Sequence, residues 1–196
     1  MSLPVPIIYP ITSGKAKPDE ILRLVRAAVD AEVPLLQIRE KSMPARVLFE
    51  LVARAAEITR GSSTRLLVND RSDIARAAGA DGVHLTTQSL PVEVVRKIYG
   101  AKFLIGVSTH SLDEARLARD GGADFVVFGP VFEKQGYGAP QGVDKLAAVT
   151  RELGEFPVVA IGGITLNNAD ECFQAGARGI AAIRLLNDAR NLTRWK

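Results

Sequence analysis

The sequence predicts an α/β fold of the (β/α)₈ barrel type, in which eight parallel strands alternate with helices. Eight short apolar runs alternate with longer amphipathic stretches along the chain. Strands that are apolar on both faces are typical of a parallel sheet covered by helices. The similar segments Gly79-Ala-Asp, Gly122-Ala-Asp and Gly176-Ala-Arg each follow a helical stretch and open a strand, which indicates an internal repeat of strand and helix.

The elements follow one another without a linker, so residues 1–196 are expected to form a single compact domain. Apolar residues recur three and four positions apart from Ile21 to Val29 and from Val47 to Ile58, as in amphipathic helices. Pro18, Pro44 and Pro91 stand at or near helix starts, where proline costs no helical hydrogen bond. The strands are expected at Val5–Ile11, Leu35–Arg39, Arg65–Asn69, Gly82–Leu85, Phe103–Val107, Phe125–Phe128, Pro157–Ile161 and Gly179–Ile183.

The alternative architecture is a doubly wound open sheet. Such sheets usually have about five or six strands, and no GxGxxG motif follows the first predicted strand. The sequence therefore favours the closed barrel.

The composition limits the classes of partner that the protein is expected to bind and the cellular compartment in which it is expected. A formal net charge of +3 over 196 residues is too small to indicate nucleic-acid binding, although a pI near 9.2 is compatible with anionic ligands. The one cysteine, Cys172, excludes a disulfide framework, and no zinc-ligand spacing is present. No apolar run approaches the roughly 18–20 residues of a membrane span, and the start resembles no signal peptide. We expect a cytoplasmic protein that binds small molecules. The sequence leaves open whether the protein forms a homo-oligomer.

Polar residues at the ends of the second and third strands indicate a site for anions. Gln37 and Arg39 are two residues apart and share a strand face, and Lys41 adds a second cation. The alternative for Arg39 is a salt bridge with an acid on a neighbouring strand. Asn69 and Asp70 end the next strand, where they could cap a helix or, for Asp70, bind Mg²⁺ together with substrate phosphate oxygens.

Later strand ends carry smaller polar groups. Ser108 has no adjacent base in the sequence, which favours hydrogen bonding to a substrate over nucleophilic attack. His84 and His110 are each more typical of structural residues. Gly162 and Gly163 allow backbone amides to approach an anion, although a tight turn explains them too. The glycine-rich segment 129–142 is expected to be a loop that closes over ligand.

Several of these segments together resemble the thiamine phosphate synthase family, which also contains the TenI-type thiazole tautomerases. The resemblance runs in order from about Pro6 to Ile183. It is carried by Gln37-Ile-Arg-Glu-Lys41, Leu67-Val-Asn-Asp-Arg71, Gly79-Ala-Asp-Gly-Val-His-Leu85, Gly106-Val-Ser-Thr-His110, Phe128-Gly-Pro-Val-Phe132 and Val159-Ala-Ile-Gly-Gly-Ile164.

The resemblance implies a TIM barrel that acts in thiamine biosynthesis. The synthases join hydroxymethylpyrimidine diphosphate to thiazole phosphate and release pyrophosphate with the help of Mg²⁺. Carried over by position, Gln37 would hold the pyrimidine and Ser108 the reacting substrate. The remaining roles would be diphosphate binding by Arg39, Lys41 and Asn69, metal binding by Asp70, contact with both phosphates by Lys134, and thiazole phosphate binding by Gly162, Gly163, Ile183 and Arg184.

Three positions depart from the family pattern. Ser89 stands where the family usually has an aspartate that is a second Mg²⁺ ligand. The loop after Phe132 is shorter than usual, so Lys134 reaches the phosphates only if the loop shifts. Arg184 replaces the family's serine after the last strand, where it could bind phosphate or block the site.

These departures leave three functions open. The leading hypothesis is a transferase of the thiamine-phosphate diphosphorylase type, acting on small phosphorylated substrates. The second is a thiazole tautomerase, favoured by Glu133 but opposed by Pro130, which stands where some tautomerases have a histidine. The third is a phosphate-binding relative without catalytic activity.

Overall fold

The computed structural model describes residues 3–133 and 139–195, and it confirms the predicted (β/α)₈ barrel. All eight strands are parallel, and they follow one another around the sheet. The strands are β1 Ile7–Pro10, β2 Leu35–Ile38, β3 Arg65–Asn69, β4 Gly82–Leu85, β5 Leu104–Thr109, β6 Phe125–Phe128, β7 Val158–Ile161 and β8 Gly179–Ala182.

Helices follow the first seven strands on the outside of the barrel. They are α1 Pro18–Asp30, α2 Ala45–Thr59, α3 Ser72–Ala77, α4 Val92–Tyr99, α5 Leu112–Asp120, α6 Gly142–Leu153 and α7 Ala169–Gln174. After β8 the described chain forms a 3₁₀ helix, Ala189–Asn191. Over the described ranges, none of the helices combines the length and the apolar character that a membrane crossing needs.

The two ends of the sheet meet between β1 and β2. Ile11 and Gln37 form a parallel bridge, and the N–H of Thr12 donates to the carbonyl oxygen of Gln37 at 3.0 Å. The hydroxyl of Thr12 in turn accepts from the N–H of Arg39 at 2.8 Å. These contacts nearly close the barrel, and they hold the backbone of Arg39 at the carboxyl-terminal end of the barrel.

The repeated Gly-Ala-Asp segments have a structural role at the opposite end of the barrel. Gly79, Gly122 and Gly176 have φ angles of +78°, +94° and +86°, the left-handed conformation that ends a helix at little cost for glycine. Asp81 accepts from the N–H of Leu66 at 2.8 Å, so the aspartate of this segment anchors the neighbouring strand. In the first unit Glu32, at φ +52°, takes the place of the glycine.

Side chains of alternating residues fill the inside of the barrel. Tyr9 and Phe125 are fully buried there and pack edge to face, with ring centroids 5.6 Å apart. Gly106 makes room for them, because a Cβ atom at this position would lie 2.3 Å from Cζ of Phe125. The apolar filling ends below the carboxyl ends of the strands, where polar side chains take over.

Candidate active site

A cavity of about 290 Å³ opens at the carboxyl ends of the strands, which is where barrel enzymes place their active sites. Residues in or directly after all eight strands line it. Those that the sequence analysis singled out are Gln37, Arg39, Lys41, Asn69, His84, Ser108, His110, Gly129, Pro130, Gly162 and Ile183. The structure therefore brings most of the predicted site residues to one place.

One wall of the cavity carries unpaired hydrogen-bond donors from β2 and β3. Ile38 pairs with Val68 in the sheet, so Arg39 and Asn69 stand side by side just beyond this pair. Arg39 is half-buried, and among the described residues no carboxylate forms a salt bridge with Arg39 or Lys41. The neighbouring Glu40 accepts from the N–H of Gly14 at 3.2 Å. The structure therefore provides no salt bridge that would explain Arg39 as a purely structural residue.

Asp70 stands at the edge of this wall and does not line the cavity itself. It follows Asn69 in the chain, its side chain is exposed, and its φ angle is +62°, a conformation that aspartate tolerates better than most residues. α3 begins with Arg71 in the N-cap position and has no side-chain cap. Neither Asn69 nor Asp70 is therefore occupied in capping a helix, and both are available to a ligand.

The opposite wall consists of the loop after β7. β3 and β7 lie four strands apart in the ring of eight, so their ends face each other across the barrel. A Cβ atom on Gly162 would lie 2.5 Å from Cα of Pro130, and φ is +98° at Gly162 and +67° at Gly163. In the described ranges, nothing accepts a hydrogen bond from the N–H groups of these two glycines. Close packing and positive φ both require glycine here. Gly162 lines the cavity, and Gly163 follows it in the chain without lining the cavity.

The predicted contacts after the last strand are divided between two cavities. Ile183 lines the main cavity, whereas Arg184 lines a neighbouring one of about 280 Å³ beside α1. Ile183 lines this second cavity as well, so the two spaces adjoin. The exposed side chain of Arg184 therefore does not block the main cavity. Lys134 and the centre of the predicted loop, residues 134–138, lie outside the described residues.

At the floor of the cavity, a chain of hydrogen bonds joins three buried side chains to the half-buried Ser108. Nε2 of Gln37 donates to the hydroxyl of Tyr9 at 2.9 Å, and this hydroxyl lies 3.3 Å from Nδ1 of His84. Nε2 of His84 lies 2.8 Å from Oγ of Ser108. Burial, with a smaller contribution from the positive charge of Arg39, lowers the pKa of His84 to about 3. Burial also raises the pKa of Tyr9 far above its usual value.

These hydrogen bonds include a residue that the sequence analysis does not place in the site, Tyr9. They also bring His84 next to Ser108, which has no base beside it in the sequence. A polar residue in a predicted strand, on the inward face that it shares with Ile7 and Ile11, was the available signal for Tyr9. Thr86 and Thr87, which also line the cavity, follow the end of β4 and were open to the same reasoning.

The fold and the cavity define a (β/α)₈ barrel with a polar site at the carboxyl ends of its strands. The family model described as thiamine monophosphate synthase matches residues 8–186. The chain belongs to this family, as the sequence resemblance predicted.

Individual relatives agree with this assignment. The chain is 42% identical over 165 residues to a thiamine-phosphate synthase of Moorella thermoacetica, covering 83% of this chain and 78% of the relative. It is 39% identical over 181 residues to a thiamine-phosphate synthase of Roseiflexus sp. strain RS-1, covering 90% and 76%. A solved thiamine phosphate pyrophosphorylase from Pyrococcus furiosus superposes with a TM-score of 0.84 at 34% identity, covering 96% of this chain and 94% of that one.

The buried His84 makes stability depend on pH. Its pKa is about 3 in the folded protein and near 6.5 when unfolded, so between these values the unfolded chain binds the additional proton. Folding stability contributed by neutral His84 is complete above pH 6.5 and is lost as the pH falls toward 3. Between pH 6 and pH 4.5, we expect the free energy of unfolding of the wild type to fall more steeply than that of His84→Gln, by about 1.4 kcal/mol per pH unit.

Denaturant unfolding at several pH values measures this difference. Ser89→Ala is the control, because it changes a side chain that carries no titratable group and should keep the wild-type slope. Equal slopes for the wild type and His84→Gln would contradict the assignment of a buried neutral imidazole.

Proposed function

We propose that the protein is a thiamine-phosphate synthase, which joins hydroxymethylpyrimidine diphosphate to thiazole phosphate and releases pyrophosphate. One observation supports the proposal above all. Arg39 and Lys41, which form no salt bridge among the described residues, line the same cavity as Gly162, whose N–H has no described acceptor. Arg39 is half-buried, and a half-buried charge without a partner is costly, so its wall favours an anion. A backbone N–H without an acceptor at a glycine turn favours a second anion.

The diphosphate fits the wall of β2 and β3. Arg39 offers a planar fork of donors that matches two phosphate oxygens, and Lys41 and Asn69 add further donors beside it. On the floor, Gln37 and Ser108 would hold the pyrimidine ring. The thiazole phosphate would bind the amides of Gly162 and Gly163, with Ile183 against the thiazole. Both substrates then lie in one cavity, and the reacting carbon and nitrogen are held close together.

The proposed reaction is dissociative. The bond between the pyrimidine methylene carbon and the diphosphate oxygen breaks, and its electron pair leaves with pyrophosphate. Negative charge grows on the leaving oxygens, where Arg39 and Lys41 stabilise it. The lone pair of the thiazole nitrogen then forms the new bond to the methylene carbon. The protein contributes position and charge and forms no covalent intermediate.

Asp70 is the residue proposed to hold Mg²⁺. The described residues contain no cluster of three or more metal-ligating side chains, so the ion would depend on one carboxylate together with phosphate oxygens and water. The exposed Asp70 beside Asn69 suits such a site. Ser89 does not extend it, because its hydroxyl is 2.8 Å from the N–H of Thr86 and accepts from it within the turn after β4. When bound, Mg²⁺ would neutralise charge on the departing pyrophosphate.

The role of Arg39 is tested by pyrophosphate release from the two substrates. Arg39→Gln should lower kcat by about a hundredfold or more, because it removes a charged donor from the group on which charge develops. Arg46→Gln is the matched control, since Arg46 lies on α2 in an exposed pair with Glu50 and does not line the cavity. Full activity of Arg39→Gln would contradict the proposed mechanism.

A second assay, aromatisation of the thiazole tautomer, separates the other two functions from the synthase. Aromatisation of the thiazole tautomer in excess chelator, without pyrophosphate release by the wild type, would identify a tautomerase instead. Binding of thiazole phosphate without turnover in either assay would identify a relative that has lost activity. Either outcome would overturn the proposal.

The metal site is tested by titrating Mg²⁺ in the assay of pyrophosphate release. Asp70→Asn should raise the Mg²⁺ concentration for half-maximal rate by about tenfold, because it removes the carboxylate charge while nearly keeping the side-chain shape. Ser89→Ala should leave this concentration unchanged if the hydroxyl serves only the turn. An unchanged Mg²⁺ dependence in Asp70→Asn would show that the ion binds elsewhere.

A further inference from the structure

The hydrogen bonds that join Gln37, Tyr9, His84 and Ser108 all run in the same direction, from donor to acceptor, and the geometry determines that direction. Tyr9, Gln37 and His84 are 0%, 1% and 3% exposed, so water does not compete for their polar atoms. The Tyr9 oxygen accepts the hydrogen bond from Nε2 of Gln37. Its own hydrogen then needs an acceptor, because a buried hydroxyl without one costs free energy.

Among the described residues, the acceptor within hydrogen-bond distance of this hydroxyl is Nδ1 of His84, 3.3 Å away. Nδ1 must therefore carry no hydrogen. A neutral imidazole has one N–H group, which is then at Nε2 and donates to Oγ of Ser108 at 2.8 Å. The hydrogen of the Ser108 hydroxyl is not used in the chain and is left for a ligand in the cavity.

We propose that Tyr9 and His84 are positioning residues that hold Ser108 as a hydrogen-bond donor toward the substrate and prevent its activation as a nucleophile. A serine and a histidine at hydrogen-bond distance usually suggest nucleophilic catalysis. Here the nitrogen facing the serine already bears a hydrogen, so it cannot accept the serine proton.

Two further observations support this assignment. The depressed pKa of His84 and the raised pKa of Tyr9 keep both groups neutral across the physiological range, so the chain does not change direction with pH. The Tyr9 hydroxyl, and not a carboxylate, lies at Nδ1, so none of the four side chains joined by these hydrogen bonds stabilises a protonated imidazole. The positive charge of Arg39 disfavours that form as well.

The substrate part of the inference rests on the proposed function. A pyrimidine ring nitrogen is an acceptor, and a Ser108 hydroxyl of fixed direction would donate to it. Gln37, whose amide nitrogen is bonded to Tyr9, would contact the same ring from the neighbouring part of the floor. Tyr9 and His84 would then affect recognition of the pyrimidine through Ser108.

The first test is the tautomer of His84, measured by nitrogen NMR on the full chain labelled at histidine. The sequence has two histidines, so His110→Gln assigns both sets of signals. We expect the hydrogen of His84 at Nε2, unchanged between pH 6 and pH 8, and a displaced Nδ1 signal in Tyr9→Phe. A hydrogen at Nδ1, or an Nδ1 signal that Tyr9→Phe leaves in place, would overturn the inference. This test needs no substrate, so it is decided separately from the proposed function.

The second test is calorimetric binding of hydroxymethylpyrimidine. In the wild-type background, Tyr9→Phe should weaken binding by about three- to tenfold, which corresponds to the loss of one neutral hydrogen bond. In the Ser108→Ala background, the same substitution should weaken binding by less than about twofold. His84→Gln should bind more tightly than His84→Leu, because only its amide can accept from Tyr9 and donate to Ser108. Equal losses from Tyr9→Phe with and without Ser108→Ala would show that Tyr9 does not act through Ser108.

Discussion

The half-buried guanidinium of Arg39 is the charge on which the arrangement of the site depends. The backbone N–H of Arg39 donates to the hydroxyl of Thr12 where β1 meets β2, and no described carboxylate pairs with the Arg39 side chain. A charge withdrawn from water and left unpaired is unfavourable in the empty protein. It becomes favourable when an anion enters the cavity, and binding can therefore select phosphorylated compounds.

The polar groups at the two ends of the barrel are used differently. At the amino-terminal end, Asp81 and Asp124 accept from the N–H groups of the second residues of β3 and β5 and pair with arginines, which stabilises the strand order. At the carboxyl-terminal end the donors of Arg39, Asn69 and Gly162 have no partner among the residues that the structure describes. The contacts that stabilise the fold thus lie at one end of the barrel, and the residues available to bind a ligand lie at the other.

Strand periodicity accounts for the parts of the site that were predictable from the sequence. Gln37 and Arg39 share a face because side chains alternate along a strand, whatever the rest of the fold does. The alternation does not extend to Ile183 and Arg184, because both lie beyond the end of β8: Ile183 lines both cavities, and Arg184 lines the second one. Contacts between strands were not predictable in this way. His84 and Ser108 are 24 residues apart, and their meeting depends on the sheet register, which pairs His84 with Gly106.

The proposed site needs two anion-binding walls in one cavity, and calorimetry with pyrophosphate and thiazole phosphate determines whether both exist. Each compound is titrated into the wild type in the presence of Mg²⁺, first alone and then with the other at saturation. With two walls, both compounds should bind together, one of each per chain. Complete displacement of one compound by the other would show a single anion site and would refute the two-wall arrangement.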